Sequence, residues 1–507
     1  MRDRAQTGAE PFAGRTSREI HALRCADCAR SDSAVTDVLP SATIPIPAEA
    51  LAGFPDGVPK VPGRGHSRRR FLTGSAVGMA SIYSAAHLTW ESVWDAAAAR
   101  AATPTDNILV CIYLNGGNDG LNAIVPVSND QYPGYVSQRS NIARVLGPSG
   151  GGQVGTSVMP GTGGTLAFAN PLVSGTANNG DVKGFDTIYG DGSGATGSDL
   201  AIFPAADYTP PNLSHFESRD YWFAGALDEL ETGWLGRWLD LYGTQDNPLQ
   251  AISINTTLSK SIRTATAPVC AIADLRQTSF QLPGTTVDAN QQMAKLAAVP
   301  ADPSNQALTR ARAIYGETVE VSNRVSGLGI GQPVAGYPPN SDLSSNLQLA
   351  AILLGAGLGT RIVTIDWGSF DTHGDEVASQ DPQLSVLSSA LAAFKADLIS
   401  RGIEQNVITL VYSEFGRRIM SNDSLGTDHG AGGLVVVSGS SVRGGLAGEH
   451  PGVQGDEYGN LVPITDFRTV YQALIGEWLG GDPSAILPDG PFPGIQRYDG
   501  GTTLIKA

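Results

Sequence analysis

The sequence predicts an α/β protein with a mostly parallel sheet sandwiched by helices. Three observations carry this. Near-continuous apolar runs at 107–114, 361–366, 407–412 and 434–437 stop abruptly at turns rich in Gly and Asp. Helical patterns lie between them, as parallel strands require for their crossovers. After residue 102 about 400 residues remain, enough for one large domain or two ordinary ones.

The first element is a leader. Ser67-Arg68-Arg69-Arg70-Phe71-Leu72 sets a basic cluster before residues 71–90, which contain no Asp, Glu, Lys or Arg. Gly74, Ser75, Gly78, Ser81 and Ser84 keep that stretch only mildly apolar. It falls short of the about 20 strongly apolar residues a spanning helix needs, so no stable membrane span is expected. Small residues at 96–102 suit a signal-peptidase cut near Ala99 or Ala102. The motif resembles the twin-arginine signal. That resemblance implies export in folded form through the twin-arginine translocase, to the periplasm, the cell surface or the medium. The organisation expected is a leader over 1–102, with the signal proper at 67–102 and a disordered extension at 1–66, then one α/β domain over 105–507.

Charge narrows the partners. The whole chain carries −16, and residues 1–102 hold 12 basic and 10 acidic residues, so the remainder carries about −18. Such a body neither gains from counterion release on nucleic acid nor seeks anionic lipid. Cys25-x-x-Cys28 lies in the leader, and Cys111 and Cys270 sit in apolar runs. A bridge between the last two is open after export but not required.

Along the domain, Ile108, Leu109, Val110, Ile112 and Leu114 form a buried strand ending at Asn115-Gly116-Gly117. Residues 150–164 and 175–197, rich in Gly, Ser, Thr and Asn, read as loops. Residues 234–241 form a short helix, and 288–324 carry helical spacing interrupted near Pro300 and Pro303, a lid or packing layer. Residues 343–358 form a helix ending at Gly357 and Gly359. A strand at 361–366, an amphipathic helix at 382–399, strands at 407–412 and 434–437 and a closing helix at 466–479 follow. There is no internal repeat.

In an open α/β sheet, ligands gather at the carboxyl ends of the strands. There this chain places Gly116-Gly117-Asn118-Asp119, Asp371-Thr372-His373, Ser413-Glu414-Phe415-Gly416-Arg417, Asp428-His429 and Glu449-His450. After residue 102 the chain has four histidines, His215, His373, His429 and His450, each with an acid within two positions. Imidazole nitrogen with carboxylate oxygen suits zinc, manganese or iron. A bound divalent ion would activate water or steady a phosphoryl or sulfuryl oxygen. The competing reading has the aspartates capping local turns while the histidines bond to backbone.

Gly116-Gly117-Asn118-Asp119-Gly120-Leu121-Asn122, Ser214-His215-Phe216, Thr232-Gly233-Trp234-Leu235-Gly236-Arg237, Phe370-Asp371-Thr372-His373, Ser413-Glu414-Phe415-Gly416-Arg417, Gly426-Thr427-Asp428-His429-Gly430 and Thr465-Asp466-Phe467-Arg468 resemble the domain-of-unknown-function 1501 family of exported bacterial proteins. That family is similar to the alkaline phosphatase and sulfatase superfamily, which implies an alkaline-phosphatase-like fold and one or two divalent ions, zinc or manganese. By that likeness Asp119 and Asp428-His429 hold one metal, and Asp371, His373 and His450 hold a second. The superfamily spaces the turn of the second site Asp-x-x-x-His, whereas this chain has Asp-x-His. The likeness also asks for a nucleophile at a helix start, for which Ser214 stands in the right chain order. The other reading of Ser214 is a plain N-cap, with Glu217 completing a capping box. Glu414 reads as a ligand or a carboxylate behind the ligands. Arg417 reads as a binder of anionic oxygen, or as a partner of Glu414 or Asp423.

Two functions follow as expectations. One is an exported metal-dependent hydrolase of phosphate or sulfate esters, acting on a small-molecule or polymer ester. The other is a non-catalytic exported binding or assembly protein that keeps the fold. Sugar-polymer binding has only Trp222 and Trp234 behind it, and both read as core.

Overall fold

The computed structural model describes residues 80–83, 106–150, 153–175, 183–193, 198–245, 247–272, 295, 298 and 336–506. Apart from 80–83 the leader lies outside the described residues, and so does the helical section at 288–324 apart from Lys295 and Ala298.

The strands are β1 (Ala80–Tyr83), β2 (Ile108–Leu114), β3 (Ile124–Pro126), β4 (Val145–Leu146), β5 (Gly155–Val158), β6 (Leu166–Ala169), β7 (Leu200–Asp207) and β8 (Ala251–Ser253). Then come β9 (Val269–Ile272), β10 (Ile362–Trp367), β11 (Val407–Ser413), β12 (Gly416–Ser421), β13 (Thr427–Gly430), β14 (Gly433–Ser438), β15 (Gly445–Leu446) and β16 (Thr465–Asp466). The main sheet runs β1-β9-β8-β10-β2-β11-β14-β7-β15, with β16 also on β7. It is mixed and mostly parallel: β9, β8, β10, β2 and β11 run together, while β1 and β14 are antiparallel to their neighbours. A second sheet, β3-β6-β5-β4, and the hairpin β12-β13 sit beside it.

The helices are α1 (Tyr132–Gln138), α2 (Phe185–Tyr189), α3 (His215–Ala224), α4 (Trp234–Tyr242), α5 (Asp342–Gly355), α6 (Glu376–Arg401) and α7 (Phe467–Ala473). All but α1, which packs by the β12-β13 hairpin, cover the two faces of the main sheet, and β2 shows why its sequence is apolar throughout. Val110, Ile112 and Leu114 enter a core with residues of α2, α5 and α6. Leu109, Cys111 and Tyr113 enter the opposite core with residues of α3, α4 and α7. Successive side chains of a strand point to opposite faces, so a strand covered twice needs no polar alternation. Each fully buried Leu or Ile here contributes about 1.5–3 kcal/mol. Trp222 and Trp234 are buried in the second core, as expected.

Several boundaries differ from the sequence expectation. The Gly-rich stretch at 150–164 contains β5, which pairs with β6 through Thr156, Ser157 and Val158. The stretch at 175–197 contains α2, whose Phe185, Ile188 and Tyr189 are buried. Helix α6 begins six residues before Pro382, at Glu376. Its first turns are held by buried polar contacts: Asn122 and Thr427 donate to Glu376, and Arg144 pairs with Asp381. The closing helix is α7 followed by a wider π turn over Leu474–Leu479. Cys111 and Cys270 are both buried and free. Strands β10 and β8 separate them, a gap of about 14 Å that no disulfide spans. Among the described residues no helix is long and apolar enough to cross a membrane.

Candidate metal centre

Register assembles the site. Leu114, Trp367 and Ser413 lie side by side as the last residues of β2, β10 and β11. The three following loops therefore leave the sheet at one level. Backbone bonds join two of them at once: Asn115 N–H donates to Trp367 O at 3.0 Å, and Phe370 N–H to Asn115 O at 2.7 Å.

The loop after β2 then makes a nest of donors. Gly116 N–H and Gly117 N–H donate to the Glu414 carboxylate at 2.9 and 3.1 Å. Both glycines have positive φ, +112° and +78°. A Cβ on Gly116 would stand 2.4 Å from Asp371 N, and one on Gly117 would stand 2.3 Å from the Phe415 ring. Only glycine fits either position. Burial works against the Glu414 charge, but His215, Ser413 and backbone donors outweigh it and hold the carboxyl below its usual range.

Three imidazoles surround Asp371. His215 opens α3, His373 follows β10 and His429 lies in β13. Their Nε2 atoms stand 3.6, 3.0 and 3.2 Å from the Asp371 oxygens. Each Nδ1 faces a group that only accepts: Glu414 Oε1 at 2.8 Å from His215, Asp428 Oδ1 at 3.3 Å from His373, and Leu213 O at 2.9 Å from His429. Each Nδ1 therefore carries a proton, and in the neutral ring Nε2 turns a lone pair toward Asp371. Among the described residues, His215, Asp371 and His429 offer ligand atoms within 4.8 Å of one another. Ligands around a tetrahedral zinc at 2.0–2.1 Å stand about 3.3 Å apart, so these separations fit the ion. Lone pairs facing carboxylate oxygen are relieved by a proton or a cation between them, and histidines fixed through the second nitrogen are the usual partners of zinc.

A model of the family described as protein of unknown function, DUF1501, matches residues 207–476, more than half of the chain. The chain belongs to the DUF1501 family. No curated protein matches it. The match takes in every imidazole and carboxylate of the DUF1501 centre, while Gly116 and Gly117 precede it.

Charge in this DUF1501 centre is balanced from behind. Arg417, buried, donates to Asp371 Oδ1 at 2.7 Å, to Gly117 O at 2.8 Å, to Thr427 O at 2.9 Å and to Phe370 O at 3.0 Å, and also to Gly116 O. It ties three loops to one carboxylate. Burial opposes the Asp371 charge, but His215, His373, His429 and Arg417 hold its carboxyl far below the usual range. Burial likewise opposes a charge on His215, yet Asp371 and Glu414 carry it up to about 9. Burial dominates at His429 and brings it down to about 4.

Of the residues expected from sequence, the structure brings together Asp371, His373 and His429, with Asp428 behind His373. Asp119 is elsewhere: its buried carboxylate pairs with Arg139 and accepts from Leu121 N–H, so it is a structural ion pair and not a ligand of this group. His450 is also apart, with Nε2 on Ile124 O at 3.2 Å and Nδ1 accepting from Gly452 N–H at 3.0 Å. Arg417 pairs with Asp371, with neither Glu414 nor Asp423, and its donors are taken by carbonyls. Ser214 caps α3, accepting from Glu217 N–H at 3.4 Å. Glu217 does not close a capping box, because the Ser214 N–H donates to Asn212 Oδ1 at 2.9 Å and the Glu217 carboxylate accepts from Asn212 Nδ2 instead. Ser214 nonetheless sits between Leu213, which touches His429, and His215. His215 is the candidate ligand that the strand-end pattern does not point to. Its signal was its place among only four histidines, inside the Ser214-His215-Phe216 motif.

Proposed function

We propose that this DUF1501 protein is an exported metal-dependent hydrolase of phosphate or sulfate esters, related in fold to alkaline phosphatases and sulfatases. The observation that carries the reading is the convergence of three Nε2 atoms on Asp371, each ring fixed through Nδ1. His215, Asp371 and His429 would hold a divalent ion of the zinc class, with His373 beside them on Asp371. Such an ion polarises an ester oxygen and lowers the pKa of water. Glu414, Asp428 and Leu213 O keep the rings in the tautomer that presents Nε2 outward. The Asp371 side chain is 30% exposed, which leaves an approach from solvent. Ser214, at the start of α3 and flanked by two residues of the centre, is the side chain best placed to attack the ester. Its Oγ accepts a helix N–H and keeps its own proton to give up.

The test uses the full chain dialysed against zinc or manganese, then assayed on an aryl phosphate and an aryl sulfate. The reading expects about one tightly held ion and turnover that fails in His429→Ala. A chain that retains no ion sinks it. A retained ion without turnover supports the second reading, a non-catalytic exported binding or assembly protein. Arg417 favours that reading, since each of its nitrogens bonds a carbonyl or Asp371 and its side chain is shut off from solvent. Export is tested separately: Arg68→Lys with Arg69→Lys should leave the protein in the cytoplasm, and unchanged export would remove the twin-arginine assignment.

A further inference from the structure

The first turns of α3 carry four charged side chains, and all but one have a partner within hydrogen-bond or ion-pair distance. Glu217 accepts from Asn212 Nδ2 at 2.6 Å, Asp220 pairs with Lys260 at 2.8 Å, and His215 faces Asp371 and Glu414. Arg219 makes no hydrogen bond or ion pair among the described residues. It is half-buried, and its guanidinium carbon lies 5.7 Å from the ring centroid of Phe216, a ring 51% exposed. Arg219 stands four residues after His215, one turn along the same face of the helix. Its charge is felt by Asp366 and Tyr113, which stand opposite each other in β10 and β2 just below the level where the loops of the centre begin.

We propose that Arg219, braced by Phe216, is the oxyanion-binding residue of the substrate site beside the imidazole cluster. This rests on the hydrolase reading for its substrate class, a phosphate or sulfate group. Two facts point to it. Arg417, the other arginine of the region expected to meet an anion, has its nitrogens on carbonyls and Asp371. Arg219 instead has a planar fork of donors with no acceptor, held by an aromatic ring at the edge of the centre. An acidic body that must draw in an anionic ester gains from a cation beside its site whose donors are not already bonded.

The experiment is calorimetric titration of the full chain with inorganic phosphate, with and without zinc, alongside a zinc count. Wild type should bind phosphate. Arg219→Ala should weaken binding about tenfold or more while keeping the zinc count, with Arg219→Lys intermediate. Arg263→Ala, an equal charge loss at an exposed position, should change nothing. Unchanged phosphate affinity in Arg219→Ala, equal weakening in Arg263→Ala, or no phosphate binding by the wild type overturns the proposal. If no zinc is retained but phosphate binding still depends on Arg219, the metal reading falls and this one stands.

Discussion

Glu414 Oε1 lies 2.8 Å from Nδ1 of His215, although 199 positions separate them in the chain. The carboxylate is in turn gripped by Gly116 and Gly117, so one anion fixes both a ring tautomer and a tight turn. Glu414→Gln removes the charge and offers an amide where two N–H groups point. Zinc affinity should fall about 10–100-fold, read by competition with a chromophoric chelator. Unaltered affinity would show that Glu414 does not orient the ring.

Gly117→Ala should destabilise the fold by more than Gly147→Ala. Both glycines have positive φ, near +78° and +86°, and each substitution carries about 1–3 kcal/mol of backbone strain. Only the first adds a Cβ at 2.3 Å from the Phe415 ring, whereas Gly147 has open space. Chemical denaturation of the two variants decides it, and equal losses would refute the steric reading.

Arg417→Met should cost about 3 kcal/mol or more of stability, since it leaves the carbonyls of Gly116, Gly117, Phe370 and Thr427 without their buried donor, each unpaired acceptor costing about 1–3 kcal/mol. Arg417→Lys should recover little, because an ammonium cannot span carbonyls on three loops. An arginine that served only to meet substrate would leave the denaturation midpoint where it was.

Asp207 contributes one part of the pH dependence. Its carboxyl, buried at the end of β7, is pushed up to about 7 by burial, against the pull of Tyr208 N–H and Gly432 N–H. Below pH 3.8 both folded and unfolded chains keep the proton, and above that only the folded chain does. The stabilisation tied to this proton is therefore present below the ordinary value and lost as pH rises through 7, about 4 kcal/mol in all. Asp207→Asn should flatten the fall in stability between pH 4.5 and 7, and an unchanged slope would contradict the assignment.

The strands were legible because β2, β10, β11 and β14 are covered on both faces and so read as unbroken apolar runs. The start of α6 was not. Its first turns are held by Glu376, Gln380 and Asp381 bonding to distant partners, and Pro382 inside the helix looked like a beginning. Asp371, His373 and His429 were legible from strand ends alone. Asp119 misled because an aspartate after the first strand looks the same whether it faces an ion or, as here, an arginine twenty residues on. His215 escaped because it comes from a helix outside the parallel strands, and only folding brings its Nε2 toward Asp371.

The donors at 215, 371, 373 and 429 are spread through more than two hundred residues, and the hairpin carrying the last of them is anchored by Arg417 to the two earlier loops. Synthesis must run past residue 430 before any nascent chain can grip an ion with the full set. On the metal reading, the centre can fill only after the hairpin at 416–430 has been made and paired. A chain cut before His429, or misregistered at the hairpin, would lack part of that donor set.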